Sequence, residues 1–435
     1  MAGPNRPSTK VIFAASLVGT SIEWYDYYIF GLASALAFSA VFFPSFSPVA
    51  GTLAAFATFA VGFVVRPFAA AIIGHFGDRI GRKALLVLTL LLTGCSTALI
   101  GVLPTYAAIG VTAPLLLVIL RIVQGFGVGG EWGGAVLIAT EHATLGRRAF
   151  YGSFAQFGVP IGVLTSNLVF LAISGLSDDD FLSWGWRVPF LISIVLVVVG
   201  LVTRVKLKDA PEFQKVKQDR TVSRVPFLDL VKAHPKALVL AAIASIAPPA
   251  IGYTVIVYLL SYGTKVAGFA RPTLLTLILI STALWIATIA VAALAADRFG
   301  AKRVYVWGAV VAVAWPLPMF ALIDTGAVGP ALIAVLVAAV PQGIMAGAQG
   351  GLFTELFPVR VRYSGISLAY QFGGIVGGAV NPLVATALQR SGGSTAVALY
   401  LSALCVASLV AAVLLPARGK VEAPVSTTVA DPVTS

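Results

Sequence analysis

GHFGDRIGRK, from Gly74 to Lys83, decides the reading of the fold, because much of it is written again as ADRFGAKR, from Ala296 to Arg303. Each copy follows a long apolar run, and Asp78 and Asp297 stand 219 residues apart, about half the chain. Three further matches keep the same order. Gln124-Gly125 returns as Gln342-Gly343 at an offset of 218. Thr140-Glu141 returns as Thr354-Glu355 at 214, and Gln156-Phe157-Gly158 as Gln371-Phe372-Gly373 at 215. An ordered repeat of this length describes one assembly of helices or strands written twice.

Composition says what the copies are made of. Of 435 residues, 59% are hydrophobic and 11% charged, with a mean hydropathy of +0.96. A soluble chain is about one quarter charged. A water-soluble enzyme, a nucleic-acid binder and a disordered chain are therefore excluded. Crossing the hydrocarbon of a bilayer takes roughly 20 mostly apolar residues in a helix. Twelve such runs are present, at roughly 11–38, 49–74, 84–104, 112–140, 154–175, 186–205, 237–262, 272–296, 304–323, 328–355, 364–389 and 395–416. The fold expected is an all-α membrane protein with twelve transmembrane helices in two six-helix, pseudo-symmetric halves. Residues 1–10 form a polar cytoplasmic arm, 11–206 the first half and 207–236 a cytoplasmic linker. The second half takes 237–416, and 417–435 make a disordered cytoplasmic tail. The first apolar run is too long for the core of a cleavable signal peptide.

Lys and Arg set the orientation. Of the 29, only Arg187, Lys265, Arg271 and Arg390 fall in loops on one face, and Arg66 and Arg121 lie inside spans. All the others gather on the opposite face, which is therefore cytoplasmic, with both termini. The net charge of +12 thus orients the protein in its membrane and needs no nucleic acid. Cys95 and Cys405 lie in apolar runs and suggest neither a disulfide nor a metal site, and no cofactor motif is present. Parallel halves related by an axis along the membrane normal are a transporter architecture, holding substrate between them near mid-membrane.

The residues also carry a resemblance. GHFGDRIGRK and RIVQG, Arg121 to Gly125, resemble the loop and span-four signatures of the major facilitator superfamily. IEWYDYYIFG, VGFVVRPF, GVGGEWGGA, FLSWGWRVPF and ELFPVRVRYSG resemble the metabolite–proton symporter family within it. GTLAAFATFAVGF, the GHFGDR loop, ADRFG and RVY look most like its shikimate transporters. Span seven, AAIASIAPPAIGYTVIVYLLSYGT, departs from relatives that usually carry charged or amide groups there. The resemblance implies proton-driven import of a small organic acid: shikimate-like, an oxo- or dicarboxylate, or a betaine. The location expected is the cell inner membrane, and the working unit expected is a monomer.

Ionisable groups inside spans are expensive and mark function by default. They are Glu23 and Asp26 in span one, Arg66 in span two, and Arg121 and Glu131 in span four. All three histidines lie in loops, so a proton has only carboxylates to ride on. A rise of about 1.5 Å per residue places Glu23 level with Arg121 at mid-membrane, and Arg66 level with Glu131 in the cytoplasmic third. Glu23 or Asp26 is then the proton carrier, with Arg121 tuning it or holding a substrate carboxylate. A fixed ion pair that only orients helices is the alternative. Tyr27 and Gln124 are expected beside Arg121 at the substrate. Arg66 with Glu131, and Asp78, Arg79 and Arg82 with Glu141, read as gates or latches. Gly158-Val-Pro160-Ile-Gly162 faintly resembles an exporter motif, so a proton-driven exporter of drugs or metabolites is the alternative function. The repeat maps Arg66 to Trp285, Arg121 to Ala339 and Glu131 to Gln349, so proton handling belongs to the first half and substrate shaping to both. With no nucleophile–base pair or metal-ligand cluster in the spans, an enzyme is not expected.

Overall fold

A computed structural model describes residues 9–80, 82–128, 131–141, 143, 146–206, 230, 232, 234–358 and 361–416. Among these, side-chain surroundings are described except at 9–12, 14–16, 70–80, 82–87, 128, 131, 134, 138, 141 and 202–206. Most of the 207–236 segment and the whole of 417–435 lie outside the described residues.

Every apolar run falls on helix, as a bilayer requires of any chain that must satisfy its own backbone polar groups. Span one runs Thr9–Ala33, widens into a π turn at Ser34–Phe38 and ends with Ser39–Phe42. Span two is Pro48–Ile80, span three Arg82–Val102 and span four Thr112–Val128 followed by Glu131–Glu141. Spans five and six are centred on Phe154–Ala172 and Val188–Lys206. Span eight is Arg271–Phe299 and span ten Val328–Leu356. Span nine is bent by 45° between Ala301–Ala314 and Pro316–Ile323, where Pro316 opens the second piece. Seven described helices are long and apolar enough to cross a membrane alone, or eight with the bent pair joined. Three shorter apolar helices, Leu88–Val102, Thr112–Gly127 and Gly185–Leu201, complete the first half. Spans eleven and twelve are continuous in helix and turn back at Gly393, whose φ of 65° is a left-handed value that glycine adopts without strain.

Span seven is not the single straight helix that its hydropathy suggests. It runs Pro235–Ala244, breaks at Ser245 and Ile246, and resumes as Ala247–Tyr253 before a π turn at Thr254–Tyr258. Pro248 and Pro249 explain the break, since neither can donate the backbone bond that a continuous helix needs. The π turns of spans one and seven sit 220 residues apart, so the repeat extends to a rare backbone feature.

The packing repeats as well. Span two lies on span four, and span eight on span ten, its counterpart. Between halves, span five meets span eight and span two meets span eleven, contacts that the repeat exchanges for one another. The pseudo-symmetric pair of six-helix halves is thus visible in sequence, backbone and packing. Many large apolar side chains are exposed, among them Val195, Val291, Val310 and Ile333, while Glu23, Asp26, Arg66, Arg121 and Gln124 are buried. A lipid-facing protein is expected to be inside-out in this way. Association of such helices relies on close packing and buried polar contacts, because lipid is as apolar as leucine.

Candidate functional site

Span one carries Trp24, Tyr25, Asp26, Tyr27 and Tyr28 on successive positions, and all five are buried. At their centre Tyr27 is clamped between two guanidinium groups. The Arg66 carbon lies 3.6 Å from the ring centroid and that of Arg121 4.3 Å. Arg66 Nε also donates to the Tyr27 oxygen at 2.8 Å, and the Tyr27 hydroxyl donates to the Gly62 carbonyl at 3.2 Å. Phe63 and Trp24 offer Arg66 further ring faces, and Phe30 and Phe59 do the same for Arg121. Desolvated cation–π contacts of this kind are each worth about 2 kcal/mol. They help two cations share a dry site.

Arg121 is anchored by its own helix and by span two. Its Nη1 donates to Gln124 Oε1, and Nε and Nη2 donate to the Phe59 carbonyl at 3.4 and 3.3 Å. Gln124 in turn donates to Thr97 Oγ1 at 2.8 Å. Asp26 lies against the Thr97 hydroxyl and in the field of Arg121, and its Oδ1 is buried with no hydrogen-bond partner. A polar thread therefore runs Asp26–Thr97–Gln124–Arg121, drawn from spans one, three and four. Gly62 makes the approach possible: a Cβ there would fall 2.5 Å from Arg121 Nε.

The residues singled out from sequence converge, but their partners differ from the depth expectation. Glu23 interacts with Arg66 and Tyr370, not chiefly with Arg121, and it is Asp26 that faces Arg121. Depth fixes position along a helix axis and leaves position around it open. Two residues three apart are offset by about 60° around an α-helix, enough to face different neighbours. Arg66 accordingly belongs to the central cluster. Its expected partner Glu131, and Asp78, Arg79, Arg82 and Glu141, have side chains outside those described.

The second half closes over this cluster with rings and amides. Tyr28 stacks on Tyr253 of span seven at 5.5 Å, and Tyr253 also meets Phe59 and Phe63. Trp132 stacks flat on Tyr370 of span eleven at 3.7 Å and 10°. Gln156 Nε2 donates to Gln349 Oε1 at 2.9 Å, and Gln349 Nε2 to Ser245 Oγ at 3.3 Å. Gln349 occupies the place that the repeat assigns to Glu131. On the basic face, Asp297 accepts from the backbone N–H groups of Ala149 at 2.8 Å and Phe150 at 3.1 Å, tying span eight to the start of span five. Gly158 and Gly162 lie against span one at Thr20 and Trp24, where a Cβ would fall within 2.7 Å, so they act here as packing residues.

Tyr253, Tyr370, Gln156 and the Asp297 contact escaped the sequence reading. Asp297 could have been found from its repeat partner Asp78, and Gln156 from the repeated Gln-Phe-Gly. No signal marks Tyr253 or Tyr370 among ordinary core aromatics.

A family model described as Major Facilitator Superfamily matches residues 12–382. The chain is 42% identical to the inner membrane metabolite transport protein YhjE of Escherichia coli, over 94% of each chain. It is 40% identical to the shikimate transporter of the same organism, covering 92% of this chain and 93% of that one. A crystal structure of a D-xylose-proton symporter superposes with a TM-score of 0.74 at 18% identity, covering 95% of this chain and all of that one.

Proposed function

The chain belongs to the Major Facilitator Superfamily, a family of transporters and not of enzymes, and we propose that it imports a small organic acid together with protons. The halves rock about the central cluster, opening it to one side of the membrane at a time. The membrane is the cell inner membrane, with both termini cytoplasmic, as the Lys/Arg asymmetry supports.

Asp26 carries the reading. It is a buried acid with an oxygen that no donor occupies, threaded through Thr97 and Gln124 to an arginine held by ring faces and carbonyls. In this scheme a proton occupies Asp26 and releases Arg121 from its field, and the freed guanidinium grips the substrate carboxylate with two parallel hydrogen bonds. Loss of the proton on the cytoplasmic side returns Arg121 to Asp26 and lets the substrate go. Glu23 plays the supporting part beside Arg66. Tyr27 spaces the two cations so that one substrate carboxylate meets one guanidinium at a time. Span seven contributes shape through Tyr253, consistent with a substrate recognised by its ring or carbon skeleton as well as by charge. The likeness to a shikimate transporter supports shikimate as the first acid to try.

The experiment is uptake of labelled shikimate into liposomes holding the purified protein, acid outside, with and without a protonophore. Accumulation above equilibrium that collapses with protonophore supports symport. Accumulation untouched by protonophore would remove the proton from the scheme. If shikimate is not carried, oxo-acids, dicarboxylates and betaines are the next ligands, and failure of all of them would overturn the import reading.

A further inference from the structure

Far from the central cluster, on the face opposite Asp297, a cavity of about 340 Å³ opens along the seam between the halves. Span one and the loop after span five line it from the first half, with Ser174 and Asp178; spans seven and eight line it from the second, with Thr264, Lys265 and Arg271. This face of the protein is poor in cations. Of the four Lys/Arg that the sequence reading assigns to it, Lys265 and Arg271 both stand at this one cavity.

Arg271 is built as a receptor. Its guanidinium carbon lies 3.9 Å from the Phe181 ring centroid, and Nη2 holds Asp178 at 2.6 Å across the seam. Its Nη1 is buried and has no hydrogen-bond partner. Asp178 is 84% exposed and Arg271 only 17%. The cation is therefore fixed and half-used, while its present partner is a surface carboxylate that can swing away. Lys265 Nζ spends one of its three donors on Thr52 Oγ1 at 3.0 Å, and also crosses the seam.

We infer that this cavity is a vestibular docking site for carboxylate-bearing ligands, in which Arg271 and Lys265 hold the ligand carboxylate and Asp178 is the internal competitor that the ligand displaces. The fork of Arg271 can take a carboxylate bidentately once Asp178 leaves. Among the described residues, displacement also unties one of the polar contacts that cross the seam here, so arrival of the ligand loosens the closure at its own doorway. The choice of carboxylate agrees with the import of an organic acid, but the site rests on its own cations and is independent of Asp26 and Arg121.

The test is isothermal titration of the purified, full-length protein with shikimate, 2-oxoglutarate and succinate. Wild type is compared with Arg271→Gln, Lys265→Gln, Asp178→Asn and, to silence the central site, Arg121→Gln. A docking site predicts that Arg271→Gln weakens binding by about tenfold or more and that Asp178→Asn tightens it by about threefold, because the competitor is gone. Opposite signs are the signature. If the Arg271–Asp178 pair were only a strut, both variants would break it alike and shift affinity in the same direction, which overturns the proposal. Heat that persists in Arg121→Gln and vanishes when Arg121→Gln and Arg271→Gln are combined separates this site from the central one, whatever becomes of the transport reading. Absence of heat with all three acids in wild type would also overturn it. Monodispersity on size exclusion guards against misfolded variants, and Lys265→Gln gives a second variant from a different helix, expected to weaken binding by about threefold.

Discussion

The two halves solve the same packing problem with different chemistry. In the first, Arg66, Arg121 and Gln124 converge on Tyr27. In the second, their repeat counterparts Trp285, Ala339 and Gln342 also come together, around a narrow gap shared with Val255, Ile256, Ser281 and Thr282. The backbone has kept the convergence point and the chain has refilled it, with cations and acids on one side and a tryptophan, a methyl group and an amide on the other. Buried charges in a bilayer need partners that neutral groups do not. On the proposed reading, concentrating them in one half keeps the proton step apart from the cavity wall of the other. Span seven, with its Pro-broken helix and apolar sequence, belongs to that neutral wall.

This division can be broken or sharpened by substitution. The largest effect is expected from Asp26→Asn, which is nearly isosteric but cannot ionise. Uphill uptake in proteoliposomes should fall by about a hundredfold, the scale on which losing a single acid–base group acts, while exchange of label at equal concentrations continues. Gly62→Ala is next. The added methyl group has to displace the Arg121 guanidinium, 2.5 Å from Nε and 2.8 Å from Cζ. About 2 kcal/mol of misplacement corresponds to a roughly thirtyfold loss of uptake rate. The equivalent gap of the second half has no cation in its lining to disturb.

Asp297→Ala comes third. It removes two charge-assisted hydrogen bonds to the Ala149 and Phe150 amides, each worth about 1.5–3 kcal/mol while the face is closed. A cysteine placed at the buried Ser153 should then react with a maleimide about tenfold faster, and an unchanged rate would deny Asp297 its role in holding that face. The smallest effect is expected from Gln342→Ala, the counterpart of Gln124→Ala. We expect less than about a threefold change in uptake for Gln342→Ala, against at least tenfold for Gln124→Ala, which severs the thread between Thr97 and Arg121. Equal effects at the two glutamines would mean that proton handling is not confined to the first half.

Much of this is legible in the order of the amino acids. Hydropathy marks the spans because a bilayer admits few alternatives, and the repeated loop and glutamine motifs mark the halves. Arg66, Arg121, Glu23 and Asp26 announce themselves because charge inside a span is so costly. The pairing among them is not legible. It depends on rotation about each helix axis and on ring faces that help to solvate a guanidinium, and neither has a signature in spacing. Span seven hides its break for a different reason: Pro248-Pro249 marks it, but high hydropathy on both sides reads as one run. The stacks of Tyr253 on Tyr28 and of Tyr370 on Trp132 bring together residues more than 200 positions apart, which no local pattern can anticipate.

The central claim is that the proton rides in the first half, on Asp26. It is tested most directly by counterflow of labelled shikimate, or of whichever acid the wild type accumulates, across a range of pH in wild-type and Asp26→Asn proteoliposomes. The account predicts pH-dependent counterflow in the wild type, and in Asp26→Asn counterflow that persists, loses its pH dependence and no longer supports uphill uptake. Protonophore-sensitive accumulation surviving in Asp26→Asn would contradict it.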